Sequence, residues 1–494
     1  MKFVNVLFVV LLYCTHLSAQ VTLPNNLYFT HIGVEDGLCQ NTVCCILQDH
    51  LGFIWLGTKD GLTRYDGYRF RVFKHDAADP MSIGNNFIRV LYEDADGLIW
   101  IGTNVGVYIY NPETENFRKF DVATERGDVI SREVSSIKCD SSGDLWIGVN
   151  WQGVFRYDRR DESLELYEPV PGDTTSLSSV HVWDLCFDGD GNLWVGSQNG
   201  GLDRYDRETD RFVRHRLKGL SDVSRIVLDK QNQLLLGTMK DGLFSFNPYM
   251  GTCQPLLLDS GHKDLFVRAI FVRNSREVVV GTENGIYIYD CVTRKTRHVN
   301  QELGNPYSLS CKAVYSIYCD KEGALWIGTY FGGVNYLPPS SSLIFDKFYP
   351  IGHSDRLSGK AVREFVRDES GIIWIGTEDQ GLNRFDPVSG KFTHYNSRNS
   401  GLSCDNVHGL CVYGDRLYIG TFFGGFNIMD LKTNEIVALG SQMLPDDSVF
   451  SIFRDHDGRI WVGLTYGLCL FHPEDGSFEL VREIPENLCI YDIY

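Results

Sequence analysis

Short apolar runs recur along the chain at a nearly fixed spacing. They read Ile-Trp-Leu at 54–56, Ile-Trp-Ile at 99–101, Leu-Trp-Ile at 145–147, Leu-Leu-Leu at 234–236, Val-Val-Val at 278–280 and Ile-Trp-Val at 460–462. A half-exposed strand alternates apolar and polar positions. These runs are apolar at successive positions, which suits a strand covered on both faces. Each ends at a Gly-Thr corner or a worn form of it, at Gly57, Gly102, Gly148, Gly196, Gly237, Gly281, Gly328, Gly376, Gly420 and Gly463. The ten copies are separated by 45, 46, 48, 41, 44, 47, 48, 44 and 43 residues. A period in the forties marks a repeat architecture.

The copy around Trp326 shows what one period encodes. Residues 314–319 are apolar, β-branched and aromatic, so they form a first strand. Asp320-Lys321-Glu322-Gly323 is a turn, opened by a side-chain acceptor and closed by a residue that tolerates positive φ. Leu325-Trp326-Ile327 is the second strand, Phe331-Gly332-Gly333 the next turn, and residues 334–337 the third strand. A fourth is expected at 345–349, after a Pro-rich turn. Third strands elsewhere end in Arg64-Tyr65-Asp66, Arg156-Tyr157-Asp158, Arg204-Tyr205-Asp206 and Arg384-Phe385-Asp386. Four short antiparallel strands per period make one blade, so the fold class is all-β, built of β-propeller repeats. No sustained 3.6-residue pattern is present to supply the helices of a solenoid.

Residues 27–32 resemble a fourth strand that lacks its first three. Such an orphan closes a ring by pairing with the last blade and removes the open edges. A seven-bladed ring would then span 27–340. Pro338-Pro339-Ser340-Ser341-Ser342 is the most linker-like stretch and lies at that point. Residues 343–494 hold three further copies plus one strand of a second, unfinished propeller. Residues 489–494 match the first strand of an eleventh copy, which reads as a fragment of a longer protein. At the other end, Lys2, an apolar run over 3–13 and Leu17-Ser18-Ala19 before Gln20 form a secretory signal peptide over 1–19. A lipoprotein signal at Cys14 is disfavoured by the bulky Tyr13 before it. No later run is long and apolar enough to span a bilayer.

Net charge is −18, from 64 acidic against 46 basic residues, which disfavours nucleic acid or an anionic membrane surface as partner. Thirteen of the 14 cysteines follow the signal, and no CxxC pair recurs. Cys44, Cys139, Cys186, Cys319 and Cys411 fall inside first strands, as small buried apolar residues would. Asp94-Ala95-Asp96-Gly97, Asp188-Gly189-Asp190-Gly191 and Asp455-His456-Asp457-Gly458 hint at calcium loops, but an apolar strand follows each glycine. They read as hairpin turns without the further oxygen ligands calcium needs. No metal, cofactor or catalytic residue is assigned, since no HExxH, GxSxG or P-loop pattern is present. A carboxylate pair assembled across blades is left open.

The binding candidates are the turns after second strands and the starts of first strands, which share one face of a propeller. Trp151, His181, Trp183, Tyr330, Phe331, Asn86 and Lys312 lie there. Aromatic rings interleaved with amide, imidazole and ammonium groups suit sugar recognition through stacking and hydroxyl hydrogen bonds. The competing reading has these aromatics plugging blade edges or the contact between the propellers.

The pattern D-x-x-G-x-I-W-I-G-T-x-x-G-L-x-R-Y-D, cleanest at Asp368 to Asp386, resembles the two-component regulator propeller repeat. So does the opening Val34-Glu35-Asp36-Gly37-Leu38-Cys39-Gln40-Asn41 with Asp60-Gly61-Leu62-Thr63-Arg64-Tyr65-Asp66-Gly67-Tyr68. The resemblance covers the chain from about residue 27 onward. It implies the periplasmic sensor region of a hybrid two-component regulator. There, two seven-bladed propellers precede an immunoglobulin-like connector, a transmembrane helix, a histidine kinase, a receiver and a DNA-binding domain. It further implies an oligosaccharide ligand, a parent protein anchored in the inner membrane, and homodimerisation through that parent. This sequence contains no connector, membrane helix, kinase or receiver, so it is not itself expected to be an enzyme. The alternative is a secreted propeller enzyme acting on glycans, a sialidase-like hydrolase or a lyase.

Overall fold

The computed structural model describes residues 22–24, 26–215, 217, 220, 222–257, 265–339, 347–350, 356–439, 444–485 and 488–493. The signal-peptide assignment at 1–19 and the serines of the 338–342 linker lie outside them. Among the described residues the structure is antiparallel β, with a single 3-10 turn at Val34–Asp36. It falls into two compact units that divide after Phe345.

In the first unit, seven four-stranded sheets follow one another. The first strands of neighbouring sheets touch in sequence order, and that of the seventh, Val314–Cys319, returns to that of the first, Val43–Gln48, so the ring is closed. The seventh sheet takes its fourth strand from the start of the chain. Thr30–Ile32 pairs with Val334–Leu337 in the register Thr30 opposite Tyr336 and Ile32 opposite Val334. That corrects the fourth strand expected at 345–349. Residues 345 and 346 lie outside the described residues; 347–349 form no strand, and Phe348 packs on Phe385 and Phe392 of the second unit at 4.9 and 5.6 Å. An edge left by Val334–Leu337 is satisfied sooner by the N-terminal strand already in register beside it. The second unit contains three four-stranded sheets, over Val362–Tyr395, Val407–Ala438 and Val449–Leu480.

The repeat pattern is explained by two recurring devices. The turn aspartate does double service. Asp320 Oδ1 accepts the Ala324 N–H at 2.7 Å and Oδ2 accepts the Trp326 indole N–H at 2.8 Å. The same indole bond ties Trp55 to Asp49, Trp100 to Asp94, Trp146 to Asp140, Trp194 to Asp188, Trp374 to Asp368 and Trp461 to Asp455. This occupies the aspartates of the calcium-like loops. The strand-two glycine is the second device. A methyl group on Gly102 would stand 2.6 Å from Val134 Cγ1 of the next blade, and one on Gly237 the same distance from Val267. Only a residue without Cβ lets adjacent sheets approach so closely.

Candidate functional site

All seven first strands of the ring carry a β-bulge one residue after their opening apolar position. The register breaks between Val43 and Cys45, Ile88 and Val90, Val134 and Ser136, Val182 and Asp184, Val223 and Arg225, Val267 and Ala269, and Val314 and Ser316. A bulge re-aims the side chain it leaves unpaired. The residues skipped are Cys44, Arg89, Ser135, Trp183, Ser224, Arg268 and Tyr315. Six of them, joined by Glu133, Val134 and Arg225, line a cavity of about 60 Å³. Because the first strands form the inner ring, this cup lies at the axis.

The cup is cationic and aromatic. Arg89 is ion-paired with Glu133, and Arg268 with Glu283 at 2.5 Å. The Arg268 guanidinium lies 4.0 Å from the Phe266 ring centre and 4.4 Å from that of Tyr315, a cation–π arrangement on both sides. Arg225 donates to two backbone carbonyls, those of Arg268 at 2.7 Å and Ser224 at 3.0 Å, and forms no ion pair among the described residues. Burial, together with the like charges of Arg225 and Arg268, pulls the Arg89 guanidinium down from its ordinary value. Burial pushes the Cys44 thiol up to about 11 despite the arginines around it, so it stays protonated at neutral pH. The Trp183 indole N–H is buried without a hydrogen-bond acceptor.

Two ledges carry the other sequence candidates. On one, Trp151 is 65% exposed and its ring meets His181 edge-on at 4.1 Å, while His181 Nδ1 lies 3.2 Å from Asn150 Oδ1. On the other, Tyr330 meets Phe331 edge-on at 4.2 Å and Tyr315 at a tilt at 5.1 Å, with the Lys59 ammonium 4.2 Å from its ring centre. Tyr315 therefore joins the second ledge to the cup. Trp183 lies in the cup wall, 6.5 Å from Phe266. Asn86 is occupied otherwise: its amide donates to Asp60 at 3.0 Å and accepts the His75 N–H at 2.7 Å, holding a turn of the first blade. Lys312 is exposed, and its carbonyl accepts the Gly285 N–H at 2.7 Å. Neither lines the cup. Arg89, Arg225, Arg268, Glu133, Ser135 and Tyr315 are absent from the sequence candidates. Their common signal is register: all sit within two residues of a first strand's opening position. Of the five cysteines expected as small buried apolar residues, Cys186 and Cys411 are buried, Cys139 and Cys319 are half-buried, and Cys44 is half-buried in the cup wall. All 13 described cysteines are free.

A closed ring of four-stranded sheets with side chains converging on its axis defines a β-propeller. Known proteins agree with that class. The two-component regulator propeller family matches five stretches of this chain, residues 37–60, 82–105, 176–199, 308–331 and 443–466. Histidine kinase P4 of Formosa agariphila is 39% identical over 59 residues, which are 12% of this chain and 4% of that protein. The extracellular domain of BT3049 from B. thetaiotaomicron, assigned to the hybrid two component systems, superposes with a TM-score of 0.65 at 23% identity, covering 93% of this chain and 73% of that one. That of BT4673 from the same organism gives 0.56 at 20% identity, covering 92% and 67%. No helix among the described residues is long and apolar enough to cross a membrane.

Proposed function

We propose that this chain is the ligand-sensing module of a two-component signalling protein, acting outside the cytoplasmic membrane, and that the axial face of its first ring binds an oligosaccharide without transforming it. One observation carries the reading. Six of the seven bulged side chains line one cavity at the axis, flanked by exposed aromatics that add little to the core: Trp151 is 65% and Phe331 69% exposed. The regulator repeats and the likeness to extracellular domains of two-component systems support a sensing role. Sugar rings offer both an apolar face for stacking and hydroxyls for the Asn150, His181 and Ser135 side chains. In the parent protein, binding favours one arrangement of the domains, and a kinase reads the shift. A ligand does this only through unequal affinity for the two arrangements.

Calorimetry of the exported chain against a panel of host and plant oligosaccharides, with chromatography of the same mixtures, tests this. Saturable heat with no new product is expected, and Trp151→Ala combined with Tyr330→Ala should weaken binding at least tenfold. Steady release of cleaved sugar would establish the glycan-acting enzyme instead. Undiminished binding by the double variant would place the ligand elsewhere.

A further inference from the structure

We infer that the axial cup of the first ring receives the anionic group of an acidic saccharide, a uronate carboxylate or a sulfate ester, so that the ligand class is acidic rather than neutral oligosaccharides. This rests on the sensing role proposed above and specifies the ligand of the same face.

The charges facing the cup do not balance around one group. Glu133 answers Arg89 and Glu283 answers Arg268. Asp184, the next carboxylate inward, is already satisfied: Oδ1 accepts Ser136 Oγ and the Leu185 N–H, both at 2.9 Å, and Oδ2 accepts the Ile226 N–H at 3.0 Å. Arg225 is left with carbonyl partners alone. A half-buried guanidinium without a carboxylate, with two further guanidiniums beside it, is unfavourable unless an anion joins it. Carboxylate and sulfate oxygens match the forked donors of arginine.

A second donor points the same way. The Trp183 indole N–H lies buried in the cup wall with no acceptor, whereas seven of the chain's nine tryptophans give theirs to a turn aspartate. An unmatched buried donor costs about 1–3 kcal/mol, and an oxygen acceptor in the cup would remove that penalty.

Size decides which part of a saccharide enters. About 10–15 Å³ of such space holds one water, so 60 Å³ admits a carboxylate or sulfate group and not a pyranose ring. The ring itself would remain above the cup, against Tyr315 and Tyr330. The recognition element is thus a buried anionic substituent beneath a stacked sugar.

The test uses the full exported chain and matched ligands: trigalacturonate against its fully methyl-esterified form, and a sulfated carrageenan disaccharide against its desulfated form. Calorimetry at low salt should show one acidic member binding at least tenfold more tightly than its neutral partner, with the preference shrinking as salt rises. Which pair shows it assigns carboxylate or sulfate. Arg225→Gln should abolish that preference, in a variant whose circular dichroism shows the ring folded. Trp183→Phe, which removes only the N–H and part of the ring, should reduce it severalfold. Equal affinity within both pairs, or a preference that survives Arg225→Gln, overturns the inference and leaves the sensing role standing if neutral saccharides bind and depend on Trp151. Absence of binding by every saccharide in these pairs and in the panel overturns both.

Discussion

At the scale of single residues, the repeats vary one buried position with measurable consequences. Asp203, Asn335, Asn383 and Asn427 occupy the same place, opposite the middle residue of a second strand, and all are fully buried. Each accepts a serine N–H: Ser178 at 2.8 Å, Ser310 at 2.8 Å, Ser358 at 2.8 Å and Ser403 at 3.0 Å respectively. Asp203 alone carries an ionisable group, and its Oδ1 has no partner. Burial raises its carboxyl to about 6, against the hydrogen bonds from Ser178 that lower it. A folded-state value above the unfolded one favours folding at pH below about 4, and that contribution is lost as pH rises through 6. Asp203→Asn should therefore leave stability near pH 4 unchanged and raise it at pH 8 by on the order of 2 kcal/mol, read as the difference between variant and wild-type denaturation curves. A variant less stable at pH 8 would show that the carboxylate is held by something favourable. The Trp–Asp link gives the opposite sign. Trp55→Phe strands Asp49 Oδ2, whose bond to the indole is 2.7 Å, beneath a residue 1% exposed. A loss of about 1–3 kcal/mol is expected at neutral pH; a change under about 0.5 kcal/mol would mean that water replaces the bond.

At the scale of elements, the turn after the second strand separates stability from binding. Trp151 sits at φ 69°, as Phe423 does at 65° in the second unit and Asn199 at 58° in the fourth blade. The left-handed region disfavours a side-chain-bearing residue by roughly 1–2 kcal/mol, and strained backbone of this kind gathers at functional sites. Trp151→Gly should thus match or exceed the wild type in thermal stability while weakening saccharide binding. A large loss of stability would return Trp151 to a structural role at the blade edge. The sequence displays these elements unevenly. Second strands were plain because burial on both faces leaves an unbroken apolar run, as at Ile99–Thr103, where all five residues are buried. The bulges left no such mark, since a one-residue register shift changes pairing and not composition. Trp183 and Tyr330 stood out as aromatics in expected turns and strand starts. Arg89, Arg225 and Arg268 did not, because each is one arginine in a different copy, and only the closed ring brings them to one axis.

At the scale of the whole molecule, each unit is held by the seams between its blades. In the first, closure falls on the approach of the seventh blade to the first. A methyl group on Gly328 would stand 2.8 Å from the Val43 carbonyl oxygen and 2.9 Å from Val43 Cβ. Gly328→Ala should cost about 1–3 kcal/mol by overpacking that seam, seen as a lower melting temperature of the first unit; no change would mean the seam yields freely. In the second unit the same contact recurs between Gly376 and Val407 and between Gly420 and Val449, and Ile490 lies against Gly463 in the equivalent position. Ile490 N–H also donates to the Leu464 carbonyl at 3.0 Å. These seams keep the bulged residues that line the cup of the first ring facing one axis, the proposed seat of the ligand. Hydrogen–deuterium exchange of the whole chain, with and without the tightest-binding saccharide of the panel, locates that ligand most directly. Slowed exchange is expected in peptides covering residues 149–152, 180–184 and 329–332, with the outer strands Phe70–Phe73 and Arg211–His215 unchanged. Protection confined to outer strands, or to the second unit, would contradict it.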